Sequence, residues 1–237
     1  MLPTVVLVHG AFAESASWAG VARHLHAAGL PVVAAANPLR GVRADADQVG
    51  DLVRTLDGPV VLVGHSYGGS VISNVAADAA DITALVYVAA FAPAAGESCL
   101  ELAGRWPGST LGDALLPIPH GDGSADLVIL RDRFHEQFCA DLPAAQGGLM
   151  AATQRPVAQA ALAEPSGPDP LWQRIPSYFV IGGADRNIPA ALQRSLAERA
   201  RSRGTVEIAD ASHAVAVSHP DETAALVLEA AQAAVAA

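Results

Sequence analysis

The sequence predicts a doubly wound α/β domain: about six parallel strands, helices on both faces, and one inserted helical segment. Three observations carry this reading. Short unbroken apolar runs alternate with helical patterns through the first ninety residues, the alternation lapses between Pro93 and Leu171, and it resumes after Pro176. An apolar run without polar alternation describes a strand buried on both faces, which is the setting of a parallel sheet between helical layers.

Taken in order, Thr4–Val8, Pro31–Ala35, Pro59–Val63 and Thr83–Ala90 are the first four strands, rich in Val. Ser17–Ala28, Arg43–Leu56 and Tyr67–Ala79 are the helices between them. Strand–helix–strand repeats at this spacing require right-handed crossovers. In the interrupting segment, Trp106-Pro107-Gly108, Pro117-Ile118-Pro119 and Gly121-Asp122-Gly123 read as loops. Within Ala125–Ala140, Leu127, Leu130, Phe134 and Phe138 recur at three and four residues, the mark of one helix face. Pro156 suits the first turn of a further short helix through Leu162. Ser177–Ile181 and Thr205–Ala209 complete the strands, with Pro189–Ala200 and Asp221–Ala236 as helices. The expected organisation is therefore a core in two parts, residues 1–92 and 172–237, with a helical lid over 93–171.

Bulk properties exclude several classes of function. A chain of 237 residues can bury a full core as one domain. Its 51% hydrophobic content is heavy in Ala, and no apolar stretch reaches the roughly 18–20 residues that span a bilayer. With 24 acids against 14 bases, the net charge of −10 disfavours nucleic acid and anionic membranes as partners. Cys99 and Cys139 lack metal-ligand or C-x-x-C spacing and read as free thiols in a reduced compartment. Thr4–Val8 already reads as a core strand, with no basic n-region before it, so the expected location is cytoplasmic.

The chemistry is concentrated at Gly64-His65-Ser66-Tyr67-Gly68, a G-x-S-x-G between a strand and a helix. Glycines on both sides allow a sharp turn with the Ser66 hydroxyl exposed at its apex, the geometry of a nucleophile elbow. A serine hydroxyl needs a base to take its proton and an acid to orient that base. In a doubly wound sheet such groups gather at the carboxyl ends of strands. Asp185 stands just past the fifth strand and His213 just past the sixth, which makes them the acid and base. A single Asp after a strand is ordinarily a turn residue and a single loop His is ordinarily solvated. The coincidence of three groups at three expected strand ends is what separates them from that background. Glu97 is the reserve acid; His219, before Pro220 at a helix entry, is the reserve base but reads as structural. The oxyanion of a tetrahedral intermediate needs donors. The N–H of Tyr67 and, from the loop after the first strand, that of Ala11 are the candidates, with Phe12 as the alternative.

His9 reads as a hydrogen-bonding support of that loop, His24 and His26 as solvated, and His120 and His135 as lid residues of minor weight. No His/Asp/Glu/Cys group has metal-ligand spacing, and the glycines form no phosphate or dinucleotide fingerprint, so no metal or cofactor is expected.

Together these residues resemble the α/β-hydrolase superfamily, and within it the small esterase branch of plant methyl esterases, hydroxynitrile lyases and bacterial pyrethroid-type carboxylesterases. The resemblance rests on Val5-Val6-Leu7-Val8-His9-Gly10-Ala11-Phe12 with Trp18, on the Ser66 pentapeptide followed by Gly69, and on the lid stretches Phe138–Pro143 and Gln154-Arg155-Pro156. It also includes the segments from Phe179 to Pro189 and from Asp210 to Pro220. It implies the α/β-hydrolase fold with an inserted helical lid, Ser66, Asp185 and His213 as a triad, and Ala11 and Tyr67 as the oxyanion hole. Relative to larger members, the chain opens directly at what is usually their third strand. Hydroxynitrile lyases typically carry a lysine beside the catalytic histidine and a threonine in the first loop, where this chain has Ala214 and Gly10. With no cation to stabilise a departing cyanide, lyase chemistry is disfavoured. Ser rather than Asp at the elbow speaks against haloalkane dehalogenase or epoxide hydrolase chemistry.

The expected activity is a serine carboxylesterase acting on small to medium hydrophobic esters through an acyl-enzyme on Ser66. Trp106, Phe134, Phe138, Leu142 and Met150 are the expected apolar lining of the pocket, although each is also suited to packing the lid onto the core. A thioesterase, lactonase or C–C bond hydrolase on the same triad, or a receptor that keeps the fold for binding, are the alternatives. The oligomeric state is not encoded in any motif.

Overall fold

The computed structural model describes residues 1–236, with side chains through residue 233. The elements follow in chain order: β1 (Thr4–Val8), α1 (Ala19–Ala27), β2 (Val32–Ala35), α2 (Val42–Val53), β3 (Pro59–His65), α3 (Tyr67–Ser73), β4 (Asp81–Val88) and α4 (Cys99–Arg105). Next come β5 (Leu115–Pro119), β6 (Ala125–Ile129), α5 (Arg131–Phe138), α6 (Ala144–Thr153), β7 (Val157–Ala158) and α7 (Gln159–Ala163). The chain closes with β8 (Ser177–Gly182), α8 (Ala190–Arg199), β9 (Gly204–Ile208), α9 (Val215–Ser218) and α10 (Pro220–Ala236).

The main sheet runs β2-β1-β3-β4-β8-β9, and every pairing in it is parallel. β1 and β3 are central, and their side chains are buried on both faces. That burial is the physical meaning of the unbroken apolar runs. Two hydrophobic layers result. Val6, Leu62, Leu85 and Phe179 face α2, α3 and α8, whereas Val5, Val61, Val86 and Val180 face α1 and α10. Trp18 lies wholly inside the second layer. Among the described residues no helix is long and apolar enough to cross a membrane.

The inserted segment departs from the expected helical lid. Ala125–Ala140 is not one helix: its first part is β6, which pairs antiparallel with β5 and with the short β7 to make a separate three-stranded sheet. The 3-and-4 spacing was real only from Phe134 to Phe138. In Leu127-Val128-Ile129 the period of two prevails, with Leu127 and Ile129 buried and Val128 half-buried. The hairpin is set by its turn, where the Asp122 carboxylate accepts from the Ser124 N–H at 2.9 Å and Gly123 adopts φ 87°. Pro117 and Pro119 lie on the edge strand β5, where a missing N–H costs no ladder bond. Gln154 completes the sheet's far side: its amide accepts from the Ile129 N–H and donates to the Ile129 carbonyl, both at 2.8 Å. Pro156 precedes β7 instead of opening a helix, and the helix through this region begins at Gln159.

One core helix is also shorter than its sequence suggests. α3 stops at Ser73 because Asn74 turns its amide to the lid, accepting from the Gly167 N–H at 2.7 Å and donating to the Ser166 hydroxyl at 3.0 Å. The lid is fastened at its opposite margin by Arg40, which donates to Asp126 at 2.8 Å and to the Pro156 carbonyl at 3.0 Å.

Candidate active site

The strand β3 runs directly into α3 through Ser66, which sits at φ 55° and ψ −123°. A non-glycine residue in this left-handed region is held at a cost of about 1–3 kcal/mol, so the surroundings must impose it. They do: the Ser66 N–H donates to the Val88 carbonyl at 3.2 Å, and its own carbonyl accepts from Gly69 at 3.0 Å and Phe91 at 3.2 Å. The flanking glycines are there for clearance. A Cβ on Gly68 would lie 2.5 Å from the Val8 carbonyl oxygen, and one on Gly69 would lie 2.2 Å from that of Phe91. Gly10 in the first loop packs so closely that a Cβ there would stand 2.6 Å from the Ser66 Cβ.

Asp185 and His213 meet at the ends of β8 and β9. His213 Nδ1 donates to Asp185 Oδ2 at 2.7 Å, in a site where the two residues are 1% and 6% exposed. Since a carboxylate only accepts, Nδ1 carries the proton, and Nε2 of a neutral His213 is left with its lone pair free. The Asp185 carboxylate is fully occupied: Oδ1 accepts the N–H groups of Asn187 and Ile188 at 2.7 and 2.9 Å, and Oδ2 also accepts Gln193 Nε2 at 2.9 Å. Gln193 lies on α8, eight residues past the acid, and sequence reasoning assigned it no role. No hydrogen bond joins Ser66 to His213 among the described residues, a looseness common in unliganded sites.

His65 backs this arrangement. Its Nε2–H donates to the His213 carbonyl at 2.9 Å, and its ring lies 4.7 Å from the His213 ring. Complete burial first, then the neighbouring His213, push the His65 pKa down to about 3. It is therefore a neutral brace. Phe138 from the lid meets the His213 ring edge-on at 5.0 Å, and Phe134 stacks on Phe138 at 5.0 Å.

Backbone donors are available on the nucleophile side. The N–H groups of Ala11, Phe12 and Tyr67 have no hydrogen-bond partner among the described residues, the last because it opens α3. Phe12 holds φ 61°, which bends the loop. His9 supports this loop from below: Nδ1–H donates to the Gly10 carbonyl at 2.9 Å, and Nε2 accepts the Asn37 N–H at 3.1 Å. The Asn37 side chain returns a bond to the His9 carbonyl at 2.9 Å. The Tyr67 hydroxyl donates to buried Asp45 at 2.8 Å, anchoring the start of α3 to α2. Asn37 and Asp45 carried no sequence signal beyond their residue type.

The expected pocket residues separate. Met150 lines a cavity of about 410 Å³ between the first loop and α6, together with Phe12, Ala13, Leu149 and Val217. Met150 and Phe138 also border a void of about 10 Å³ that reaches His65 and Ala214, so the cavity floor adjoins the neighbours of Ser66 and His213. Phe134 is fully buried as packing behind Phe138, and Leu142 packs half-buried on the core. Trp106 stands 36% exposed at the end of α4, away from both spaces.

The reserves are otherwise engaged. Glu97 pairs with Arg105 and Arg199 and accepts from the Ala94 N–H, which together outweigh burial and hold its carboxyl below the usual range. His219 faces Asp141 at 3.8 Å on the surface side of α9. His135 donates to the Leu142 carbonyl within the lid, and His24 and His120 pair with Asp221 and Asp126. Cys99 and Cys139 are buried and unbridged, and burial pushes both thiols up to about 12. Among the described residues no group of three His, Cys, Asp or Glu side chains could hold a metal ion.

Comparison with known proteins agrees with this architecture. Polyneuridine aldehyde esterase superposes with a TM-score of 0.80 at 18% identity, over 97% of this chain and 99% of that one. The pyrethroid hydrolase of Sphingobium faniae gives 0.77 at 23% identity, over 98% of each chain. The methylesterase MES16 of Arabidopsis gives 0.76 at 20%, over 98% and 99%. At these identities the likeness is one of fold. No curated protein matches the sequence. The family model described as the alpha/beta hydrolase family, however, matches residues 5–226, nearly the whole of the two-part core and its insertion, and the chain belongs to that family.

Proposed function

We propose that the protein is a serine carboxylesterase acting on small to medium hydrophobic esters. The observation that carries the reading is the His213–Asp185 bond at 2.7 Å, which leaves Nε2 as the basic nitrogen of a buried imidazole. Ser66, forced into the left-handed region at the end of β3, supplies the hydroxyl. Unpaired N–H groups at Ala11 and Tyr67 supply the donors. The structurally similar proteins named for ester or pyrethroid hydrolysis support the same assignment.

In the proposed reaction, His213 Nε2 takes the Ser66 proton as Oγ attacks the ester carbonyl. The N–H groups of Ala11 and Tyr67 receive the developing oxyanion, each such donor being worth about 3–4 kcal/mol of transition-state stabilisation. Protonated His213, steadied by Asp185, gives its proton to the departing alcohol, leaving an acyl group on Ser66. The same nitrogen then deprotonates water, which cleaves the acyl-enzyme and restores the serine. The apolar cavity beside Phe12 and Met150 suits a hydrophobic substituent of the ester. Ala214, buried beside His213, offers no cation for lyase chemistry.

Turnover of p-nitrophenyl esters from acetate to octanoate, with Ser66→Ala as control and fluorophosphonate labelling of Ser66, tests the reading. Turnover abolished in the variant is expected. Equal inactivity of both proteins at all chain lengths, with no label on Ser66, sinks it.

A further inference from the structure

We propose that Asp141, a lid residue between α5 and α6, is a positioning residue for the general base, acting through Ser212; the proposal rests on the assignment of His213 as that base. Asp141 accepts two hydrogen bonds from one residue. Its Oδ2 takes the Ser212 N–H at 3.0 Å, and its Oδ1 takes the Ser212 hydroxyl. On the other side of the histidine, the Ala214 N–H donates to the Phe138 carbonyl at 3.0 Å and to Ser212 Oγ at 3.2 Å. Both chain neighbours of His213 are thus bonded to the same lid turn, whose Phe138 ring also meets the imidazole at 5.0 Å. The core supports Ala211, which bonds Ile208 and Ala184, but the Ser212 N–H finds its partner only in the lid.

The charge on Asp141 suits this work. Burial alone raises its pKa, but the Ser212 hydroxyl, the Ser218 hydroxyl and the Ser212 N–H together outweigh burial and hold the carboxyl below its ordinary value, so the acceptor stays ionised. Charge-assisted bonds of this kind are short and directional. His219, at 3.8 Å, and the buried Cys139 thiol are the titratable groups facing Asp141, while Asp185 and His65 face His213. A base displaced by about 1 Å loses on the order of 100-fold in rate, so a grip on the backbone at both sides of His213 bears directly on turnover.

The test compares wild type with Asp141→Asn and Ser212→Ala by three measurements. These are kcat and KM on p-nitrophenyl acetate, the thermal midpoint, and the low-field proton resonance of His213 Nδ1–H. Asparagine keeps the shape but lacks a second acceptor for the Ser212 N–H. For Asp141→Asn, kcat is expected to fall about 10- to 100-fold with KM within about twofold and the resonance broadened or shifted. Ser212→Ala should show the same pattern at smaller size, and it carries the test alone if Asp141→Asn does not fold. Unchanged kcat and resonance, or a kcat loss tracked by an equal loss of folded protein, overturns the proposal. If wild type turns over no ester, the resonance decides: a shift in the variants keeps the positioning role and removes only the esterase assignment, and no shift overturns both.

Discussion

Gln193 Nε2 donates at 2.9 Å to Asp185 Oδ2, the same oxygen that receives His213 Nδ1 at 2.7 Å. The amide spans three tasks, since it also donates to the Ile188 carbonyl at 2.7 Å and accepts the Gly182 N–H at 3.2 Å. Gln193→Leu removes all three in a residue that is almost completely buried. Unsatisfied buried groups cost roughly 1–3 kcal/mol, so the urea midpoint should drop by that equivalent. The loosened carboxylate should also lower kcat by about tenfold at constant KM. A variant that loses stability but keeps its kcat would show that Gln193 only packs α8.

The acid side of the stability profile should carry the signature of His65. Its folded pKa, about 3, lies below the ordinary 6.5 of an unfolded histidine because the ring is fully buried. Between those values the unfolded chain binds the extra proton, so stability increases with pH and is lost as pH falls from 6.5 toward 3. The slope from this single group approaches about 1.4 kcal/mol per pH unit. His9, whose pKa is lowered chiefly by burial, acts in the same direction. His65→Gln retains a donor for the His213 carbonyl and cannot titrate. Urea unfolding at pH 7 and pH 5 should therefore show a smaller loss in the variant than in wild type, and parallel losses would refute the assignment.

The sheet was legible because its strands are buried on both faces, which leaves short unbroken runs such as Val60–Val63. The same logic placed Ser66, Asp185 and His213 at strand ends, and the structure brings the last two into contact. Failure came where tertiary partners decide. Leu127 and Ile129 are strand residues because β5 and the Gln154 amide complete their hydrogen bonds, and nothing in the local 3-and-4 spacing records that. α3 ends early because Asn74 is recruited by Gly167, across more than ninety residues of chain. Gln193, Asn37, Asp45 and Asp141 were invisible for a related reason: a polar side chain acquires a role only from the group it meets.

Two glycine substitutions should separate clearance from helix propensity. Gly68→Ala places a methyl 2.5 Å from the Val8 carbonyl oxygen and 3.0 Å from that of His9, both backbone atoms at the end of β1. Relieving that contact pushes the elbow away from the first loop. Overpacking of this kind costs about 1–3 kcal/mol, or roughly 2–4 °C per kcal/mol in thermal midpoint for a chain of this size. Activity should fall further than stability, because the loop carries Ala11. Gly148→Ala, in α6 with nothing within 4 Å of the added carbon, should be neutral or stabilising by up to about 1 kcal/mol. Calorimetry on both variants decides, and equal midpoints would remove the steric account of the elbow.

Met150 should control which esters fit. It lies half-buried on α6 and borders both the 410 Å³ cavity and the small void that reaches His65 and Ala214. Each methylene of substrate buried there is worth about 0.8 kcal/mol, so four more of them in contact with the wall multiply kcat/KM by on the order of 100-fold. Met150→Trp fills that space from the lid side without touching Ser66, Asp185 or His213. The expected result is a loss of about tenfold or more for p-nitrophenyl octanoate, with acetate changed less than about threefold. Met150→Ala should move the preference toward longer chains. If Met150→Trp depresses acetate and octanoate equally, the substituent lies elsewhere and the cavity beside Phe12 is not its site.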